Sequence, residues 1–385
     1  MRGKLLCLLL AALLAVFSAP ALAAGEDRAV VLSVPDAQGM EVGAKAAIVM
    51  EAKTGKVLFA QNIHEQLPIA STTKIMTALL ALEQNDIDAL FEVDDTAIHV
   101  EGTSMGLVEG DKASLRALAT GMLLSSGNDA AGAAAVRISG SLPEFANTMN
   151  ERARRIGMEN TNFVTPSGLD AEGHLSTAYD MALLAREALS NRDFQNICSQ
   201  YRLRASFGNP PYDRWLQNHN RLLSSYDGTY GVKTGFTRKA GRCLVSAARR
   251  DGVELICVTL SFPGDWAIHR NFYDKFFAEL TFKNLAEDIP EVNVPVVGGT
   301  ESGVMAVRFE EAEFSVPKEG ADIRYEIAAP PFVYAPVLAG QYLGEARIYL
   351  EGENVFTLTL TADRDVPLLH AEKKHWWASI VDWFG

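Results

Sequence analysis

Cysteine is scarce in this sequence, and the few cysteines lack the number and spacing of a disulfide framework. The 385-residue chain has four, one of them in an N-terminal apolar segment. The others, Cys198, Cys243 and Cys257, are spread over a large region, whereas disulfide-stabilised domains are small and cysteine-dense. If Asp251-Gly252 forms a two-residue hairpin loop, Cys257 faces Ser246 and not Cys243. We therefore predict three separate, buried thiols.

Positive charge is also in short supply. The chain has 35 lysine and arginine residues against 48 aspartate and glutamate residues, a formal net charge of −13. This acidic balance argues against nucleic acid as a partner and against simple electrostatic adhesion to anionic lipid. The seven histidines show neither paired helical spacing nor pairing with the cysteines. We expect no metal site and no cofactor.

Long hydrophobic runs are missing except near the N-terminus. There, basic Arg2 and Lys4 precede an apolar stretch over residues 5–17, which is followed by Ala21-Leu22-Ala23. The apolar stretch is short for a membrane span of about 20 residues, and the small residues are typical of a signal-peptidase site. We predict that residues 1–23 are a cleaved secretory signal, with a retained N-terminal anchor as the alternative.

The rest of the chain exceeds the length that one hydrophobic core usually supports, so we expect two domains. Residues 46–62 contain two apolar runs around Lys53-Thr54-Gly55, which predicts a hairpin. Residues 71–191 have helical periodicity, and strand-like stretches follow at 226–235, 243–248 and 254–260. This order predicts an α+β domain over residues 24–284. Its antiparallel sheet would contain strands from both ends of the domain and be flanked by a helical subdomain inserted between them.

Residues 285–367 alternate with period two and predict a small all-β domain. Phe356, Leu358 and Leu360 would face inward, with threonines between them facing out. A second alternation places apolar and polar residues on opposite faces, with Met305, Val307 and Phe309 on the apolar face. This region lacks a cluster of nucleophile, base and orienting group, so we interpret it as a packing support for the first domain.

The last residues, 368–385, include the aromatic sequence KKHWWASIVDWFG. As a helix it is amphipathic, with one broad face formed by Trp376, Trp377, Ile380, Trp383 and Phe384. Indole rings favour the headgroup zone of a bilayer, and Lys373 and Lys374 can meet lipid phosphates. We predict a membrane-surface anchor. A terminal helix docked on its own protein is the alternative.

Ser71-Thr72-Thr73-Lys74 is the first motif that can carry chemistry. It opens an apolar-periodic helix, so Ser71 and Lys74 would lie on the same face of the first turn. A serine hydroxyl becomes a good nucleophile when a neighbour takes its proton, and a neutral lysine can do so. The same spacing recurs in Ser315-Val316-Pro317-Lys318, but there it lies in the β region with a proline inside. Local structure therefore favours Ser71.

Two more motifs follow in order along the chain. Ser126-Gly127-Asn128 lies between two helical stretches and offers a hydroxyl for proton relay and an amide to hold a peptide group. Lys233-Thr234-Gly235 follows a strand-like stretch and offers a cation, a hydroxyl and a glycine that lets the backbone approach a substrate. A second copy, Lys53-Thr54-Gly55, is interpreted as the turn of the first hairpin.

The ordered triplet closely resembles the penicillin-recognising acyltransferases, which include penicillin-binding proteins and class A β-lactamases. Within them the sequence is most similar to the low-molecular-mass D-alanyl-D-alanine carboxypeptidases. The resemblance extends over nearly the whole chain, including the segments PIASTTKIMTALLALE, LLSSGNDAA, MENTNFVTPSGLDAEGHLSTAYDMALLA and GVKTGFTRKAGRCLVSAA. It implies a DD-peptidase fold and a location on the extracytoplasmic face of the bacterial cytoplasmic membrane.

The resemblance also implies the reaction. Ser71 would attack the carbonyl between the two terminal D-alanines of a peptidoglycan stem peptide, with Lys74 receiving its proton. The oxyanion would lie between the backbone N–H groups of Ser71 and Phe236. Ser126 would pass a proton to the departing D-alanine, and water would then hydrolyse the acyl-enzyme. β-Lactam antibiotics would acylate Ser71.

Substrate binding is implied in the same way. Asn128 would orient the peptide, Lys233 would lend positive charge, and Thr234 would bind the terminal carboxylate. Family members use a further arginine for this carboxylate, and Arg270 is the match in this sequence. A surface role for Arg270 beside Asp265 or Asp274 is equally compatible with the sequence.

Three other functions stay open. A β-lactamase would need a glutamate that activates water, and Glu187 with Asn191 has the required spacing, although it ends a periodic helix. An endopeptidase would use the same site to cut cross-links. A non-catalytic member would only bind muropeptide or partners, which the intact Ser71 and Lys74 argue against.

Overall fold

The structure is a computed structural model that describes residues 42–308 and 310–369. The predicted signal segment, Phe309, and the predicted C-terminal anchor beyond residue 369 lie outside these residues. Within the described ranges, no helix is both long and apolar enough to cross a bilayer. Nor do these ranges contain three or more His, Cys, Asp or Glu side chains grouped so that they could hold a metal ion.

The first part of the chain has strands at both ends and helices between them, as the sequence predicts, together with short strands in the middle that it does not predict. The strands are β1 (Ala46–Glu51), β2 (Val57–Gln61), β3 (Phe91–Glu92), β4 (Lys112–Ala113), β5 (Arg202–Gly208), β6 (Pro211–Gln217), β7 (Thr229–Thr237), β8 (Gly241–Arg250), β9 (Val253–Leu260) and β10 (Leu280–Asn284). The α-helices are α1 (Lys74–Leu82), α2 (Leu115–Leu123), α3 (Asn128–Ser139), α4 (Leu142–Ile156), α5 (Ala178–Ser190), α6 (Arg192–Cys198), α7 (Leu222–Ser225) and α8 (Asp265–Glu279). Short 3-10 turns cover Ala70–Thr73 and Leu285–Asp288.

The central sheet has five antiparallel strands in the order β2-β1-β9-β8-β7. It contains strands from both ends of the domain, so this prediction is confirmed. Both faces are buried, since Ile48 and Met50 of β1 pack in the core on the side of the helical subdomain, whereas Ala47 and Val49 pack with α8. The edge strand β7 carries Lys233-Thr234-Gly235.

The tight turns of this sheet follow from local chemistry. In the first hairpin, the Glu51 carboxylate accepts hydrogen bonds from Thr54 N and Oγ1, both at 2.7 Å, and Gly55 has a φ of 78°. In the second, Asp251 and Gly252 both have positive φ, 49° and 83°, as a two-residue hairpin loop requires. Both hairpin predictions are confirmed.

That loop sets the register of β8 and β9. Ser246 consequently lies opposite Cys257. Cys198, Cys243 and Cys257 are free and buried, as predicted.

A second, four-stranded sheet, in the order β3-β4-β5-β6, departs from the expected all-helical middle. The sequence prediction missed β5 and β6 completely. The inward face of β5 has only Leu203, Ala205 and Phe207, while charged residues dominate its outward positions. Such a short hairpin lacks the long β-branched runs by which strands are usually recognised.

The second part of the chain is all-β, as predicted. Its strands are β11 (Val292–Val297), β12 (Gly303–Val307), β13 (Glu313–Pro317), β14 (Ile323–Ala328), β15 (Val333–Tyr334), β16 (Tyr342–Leu350) and β17 (Glu353–Ala362). Six of them form a sheet in the order β14-β16-β17-β12-β11-β15, while β13 pairs with β10. This region has its own buried cluster, which contains Leu358 and Leu360.

One facing prediction in this region is wrong. Val304 and Ala306 point into the core, and Met305 and Val307 are only half-buried on the other face. Because side chains alternate with period two, a shift of one residue reverses every facing along the strand. The small Ala306 lies where β12 is paired with both neighbouring strands, opposite Ala362 of β17 on one side.

Candidate active site

Ser71 and Lys74 meet at the start of the first helix. Ser71 lies in the 3-10 turn that leads into α1, and Lys74 is the first residue of α1. Lys74 Nζ is 2.9 Å from Ser71 Oγ and donates a second hydrogen bond to Ser167 O at 2.7 Å. The side chain of Lys74 is completely buried, whereas Ser71 is partly exposed. The serine is therefore accessible and its lysine is not.

Burial changes the acid–base chemistry of Lys74. Its pKa is well below the usual value of 10.5, chiefly because burial penalises the ammonium form and also because Lys233 is a nearby positive charge. The carboxylate of Asp129 acts in the opposite direction. A neutral amine 2.9 Å from a serine hydroxyl can accept its proton.

Ser126 and Lys233 form a second serine–lysine pair. Ser126 lies in the turn between α2 and α3 with a φ of 59°, and its hydroxyl is 3.0 Å from Lys233 Nζ. Lys233 also donates to Thr234 O at 2.8 Å. Lys233 is buried, which lowers its pKa from 10.5 to about 7. It can therefore change its charge near neutral pH.

Asn128 carries an unsatisfied acceptor. Its Nδ2 donates to Glu101 O at 2.5 Å, but its buried Oδ1 has no hydrogen-bond partner among the described residues. Burying an amide oxygen without a partner costs about 1–3 kcal/mol. Asn128 lines a groove, so a peptide N–H in that groove could supply the missing hydrogen bond.

The groove has a volume of about 380 Å³ and joins the motifs. Its lining includes Ser71, Ser126, Asn128, Thr234, Gly235 and Phe236. A Cβ at Gly235 would lie 3.0 Å from Ile69 O and 3.1 Å from Ser71 N, so β7 can approach the Ser71 turn only because this residue is glycine. Phe236 extends into solvent with 65% of its surface exposed.

The segment from Phe163 to Ser176 also contacts the Ser71 turn and the start of α1. Besides the bond from Lys74 to Ser167 O, Thr77 Oγ1 donates to Pro166 O at 2.6 Å. A Cβ at Gly168 would lie 1.9 Å from Ala70 O, which shows how closely the two backbones approach. In the sequence this segment contributes to the family resemblance, but its contacts with the Ser71 turn depend on the tertiary structure.

Arg270 is not among the residues that line the groove. It lies on the exposed side of α8. Arg242 of β8 lines the groove instead, and its Nε and Nη2 donate to the two oxygens of Asp265 at 3.0 and 2.9 Å. Arg242 was not predicted from the sequence, although the β7–β8 hairpin pairs it directly with Phe236.

The repeated motifs lie elsewhere and have structural contacts. Ser315 of β13 donates to Glu51 Oε1 at 2.9 Å, and Lys318 donates to Phe277 O at 3.2 Å. Lys53-Thr54-Gly55 forms the β1–β2 turn. Glu187 pairs with Arg152 at 2.5 Å near the end of α5. None of these residues lines the groove that contains Ser71.

Comparisons with known proteins agree with this fold and site. Residues 33–263 match the D-alanyl-D-alanine carboxypeptidase family. The chain is 34% identical over 338 residues to D-alanyl-D-alanine carboxypeptidase DacF of Bacillus subtilis, covering 84% of this chain and 86% of that protein. It is 34% identical over 227 residues to a D-alanyl-D-alanine endopeptidase of Pseudomonas aeruginosa, covering 56% and 71% of the two chains. The structure of penicillin binding protein 5 from Haemophilus influenzae matches with a TM-score of 0.66 and 27% identity, over 85% of this chain and 98% of that one.

The fold, the groove and these similarities define a serine-type peptidase with the architecture of penicillin-binding proteins. The chain belongs to the D-alanyl-D-alanine carboxypeptidase family. It is therefore a cell-wall hydrolase whose family acts on D-Ala-D-Ala termini of peptidoglycan and binds β-lactams.

Proposed function

We propose that Ser71 is the nucleophile that removes the terminal D-alanine from peptidoglycan stem pentapeptides. One observation carries this assignment: Ser71 is partly exposed in the groove and lies 2.9 Å from the amine of completely buried Lys74, whose pKa is well below its usual value. Ser126, whose partner is Lys233, is itself buried. Lys74 takes the proton of Ser71 as the oxygen attacks the carbonyl carbon of the penultimate D-alanine. The backbone N–H groups of Ser71 and Phe236 stabilise the oxyanion.

In the next step the C–N bond breaks and the D-alanine leaves. Ser126, which accepts a hydrogen bond from Lys233, passes its hydroxyl proton to the departing amine and receives in turn the proton that Lys74 took from Ser71. Water then attacks the ester on Ser71 with neutral Lys74 as its base. The proton returns to Ser71 Oγ, and the shortened peptide leaves with its new carboxylate. A β-lactam acylates Ser71 in the same way. The acyl group that remains in the groove hinders the attacking water, so hydrolysis of the acyl-enzyme is slow.

Binding uses the remaining residues of the groove. Asn128 accepts a peptide N–H through its free Oδ1, and Gly235 lets the peptide lie along the edge of β7. Thr234 and the charged form of Lys233 attract the terminal carboxylate. We assign the arginine of this carboxylate site to Arg242, since it lines the groove and Arg270 does not.

We also propose how the chain is divided and where it acts. Residues 1–23 direct export, 24–284 form the catalytic domain, 285–367 form the all-β domain, and 368–385 anchor the protein to the membrane surface. Separate buried clusters, one of which begins at Leu285, support the division between the two folded domains. An exported protein with this anchor would act on the extracytoplasmic face of the cytoplasmic membrane.

Mass spectrometry tests the nucleophile and the reaction together. The protein is incubated with diacetyl-Lys-D-Ala-D-Ala and, separately, with penicillin. We expect a product that lacks one alanine and a long-lived penicilloyl adduct on Ser71. Ser71→Ala should lose both, while Ser315→Ala, which changes the serine of the repeated motif, should keep both. An adduct on another residue would refute the assignment.

The endopeptidase alternative uses the same residues, and one of the similar proteins has that activity in its name. Purified cross-linked muropeptide dimers separate the two reactions. Release of free D-alanine from pentapeptide without conversion of dimer to monomer supports the carboxypeptidase. Rapid turnover of penicillin, with no adduct accumulating, would support a β-lactamase.

A further inference from the structure

The β5–β6 hairpin presents an exposed indole between arginines. Its outward side chains, which we call the Trp215 face, are Arg202, Arg204, Ser206, Asp213, Trp215 and Gln217. Arg204 lies directly across the strands from Trp215. The guanidinium carbons of Arg202 and Arg204 are 4.5 and 5.6 Å from the centre of the indole ring. These contacts orient the ring, yet 56% of Trp215 stays exposed.

This face is basic in an acidic protein. Its six side chains include two arginines, Arg202 and Arg204, and one aspartate, Asp213, in a chain whose formal charge is −13. Arg204 pairs with Asp213 at 3.2 Å, but both side chains are more than half exposed, so the pair adds little stability. Within the described ranges, Arg202 has no carboxylate within ion-pair distance. The face therefore has guanidinium groups available to an anionic partner.

The strand that carries Trp215 leads into the active-site groove. Strand β6 ends at Gln217, and two residues later His219 lines the groove. Arg214 of the same strand donates from Nη1 to Gly106 O at 2.9 Å. Gly106 belongs to a loop held by the carboxylate of Asp129, and the same loop contributes Gly102 and Thr103 to the groove. The hairpin therefore adjoins one side of the groove, through this loop and through His219.

We propose that the Trp215 face binds the glycan strand of polymeric peptidoglycan next to the stem peptide being cut. This inference rests on the proposed function, because it extends the same substrate beyond the groove. The C–H faces of sugar rings pack against an exposed indole, and guanidinium groups pair with the carboxylates of neighbouring stem peptides. Tryptophan and arginine are also the residues that contribute most at binding surfaces.

A lipid surface fits this face less well. Membrane-binding surfaces bury several apolar side chains, and Trp215 is the one large apolar residue among the six of the face. A purely structural role for the Trp215 face also accounts for fewer of its features. Cross-strand contacts stabilise hairpins by fractions of a kcal/mol, which requires neither an unpaired arginine nor an indole that is mostly in water.

The test compares a short soluble substrate with the polymer. Trp215→Ala and Arg202→Glu are each assayed for D-alanine release from diacetyl-Lys-D-Ala-D-Ala and from purified sacculi rich in pentapeptide. We expect the rate on sacculi to fall about fivefold or more, as for loss of a central contact in a binding surface, and the rate on soluble peptide to stay within about twofold. Cosedimentation of the protein with sacculi should weaken in parallel.

Matched controls come from the all-β domain. Tyr334→Ala removes an aromatic side chain that is 69% exposed, and Arg324→Glu reverses an arginine whose side chain is 71% exposed. Neither change should alter the rate of D-alanine release from the soluble peptide or from sacculi. Trp215→Phe and Arg202→Lys should keep most of the activity on sacculi, which separates a binding role from a general loss of folding.

Each outcome is decisive. An unchanged rate on sacculi in both variants overturns the proposal, as does an equal loss on both substrates. Normal sacculus turnover combined with lost binding to vesicles that contain phosphatidylglycerol would show a membrane face instead. Failure of the unmodified protein to release D-alanine from either substrate would contradict the proposed function itself, independently of the hairpin.

Discussion

His174 Nε2 lies 2.8 Å from the hydroxyl of Thr73, the residue next to Lys74. The other ring nitrogen, Nδ1, accepts hydrogen bonds from Val164 N at 2.9 Å and Thr165 N at 3.3 Å. Because Nδ1 is an acceptor, the proton of the neutral ring must be on Nε2, which then donates to Thr73 Oγ1. The imidazole thus connects the Ser71 turn to the segment whose Ser167 carbonyl holds Lys74.

This geometry predicts a specific loss of stability in acid. Burial lowers the pKa of His174 from 6.5 to about 4. The unfolded chain therefore takes up a proton below pH 6.5 while the folded protein does not, so stability falls as pH decreases from about 6.5 to about 4. From pH 7.5 to 5, we expect His174 to account for about 2 kcal/mol of the decrease in the free energy of unfolding.

Urea unfolding of the unmodified protein and of His174→Asn at both pH values measures this contribution. Asparagine does not titrate, so the variant should lose less stability between pH 7.5 and 5 than the unmodified protein does. Equal losses would contradict the prediction. Buried His269, whose pKa is lowered to about 3, is present in both proteins and cancels in the comparison.

Replacement of Lys74 should abolish acylation without rescue by arginine. A guanidinium group stays protonated and cannot accept the proton of Ser71. We expect Lys74→Ala and Lys74→Arg to lower the second-order rate constant for penicillin acylation by about 10³-fold or more. Lys318→Ala, in the repeated motif, is the control and should acylate normally. If Lys74→Arg is acylated by penicillin at nearly the rate of the unmodified protein, Lys74 is not the base.

Lys233 should set the alkaline limit of peptide hydrolysis. Its pKa is about 7, so its positive charge is lost as pH rises through that value. The dependence of kcat/KM on pH reports groups of the free enzyme, so kcat/KM should decrease above about pH 7. In Lys233→Arg the charge persists, and this alkaline decrease should disappear even if the overall rate is lower. If kcat/KM of the variant decreases with pH in the same way, another group causes the decrease.

Arg242 and Arg270 should differ in their effect on KM. Arg242→Lys keeps a positive charge beside Asp265 but loses the two-pronged hydrogen bond. We expect KM for the D-Ala-D-Ala peptide to increase about tenfold, with little change in kcat, because a carboxylate contact is made in both ground and transition states. Arg270→Ala should leave both constants unchanged. The opposite pattern would restore Arg270 to the carboxylate site.

Gly168→Ala should be far more damaging than Gly110→Ala. Both glycines have similar positive φ values, 81° and 76°, so the backbone strain of alanine is the same, about 1–2 kcal/mol. At Gly168 the new Cβ would also collide with Ala70 O, whereas at Gly110 it meets nothing within 4 Å. We expect Gly168→Ala to lose activity. Its free energy of unfolding, measured by thermal unfolding, should be about 2 kcal/mol lower than that of Gly110→Ala. Equal losses in the two variants would show that the close approach does not matter.

The sequence by itself determined the features that depend on local patterns. Period-two and helical periodicity predicted the central sheet and its inserted helices, and Asp251-Gly252 fixed the pairing of Ser246 with Cys257. The three motifs that line the groove, with Ser71 at a helix start, were also recognised from their order along the chain. These features could be predicted because each depends on residues close together in sequence or on a family pattern.

Only the tertiary structure decided the contacts between residues that are far apart in the sequence. The contact of His174 with Thr73 joins residues 101 positions apart, and that of Lys233 with Ser126 joins residues 107 positions apart. Arg242, and not Arg270, lines the groove because strand pairing turns it toward Phe236. The low pKa of Lys74 likewise results from burial by the whole domain. The residues next to Lys74 in the sequence do not show how deeply the domain buries it, and that burial is what lowers its pKa.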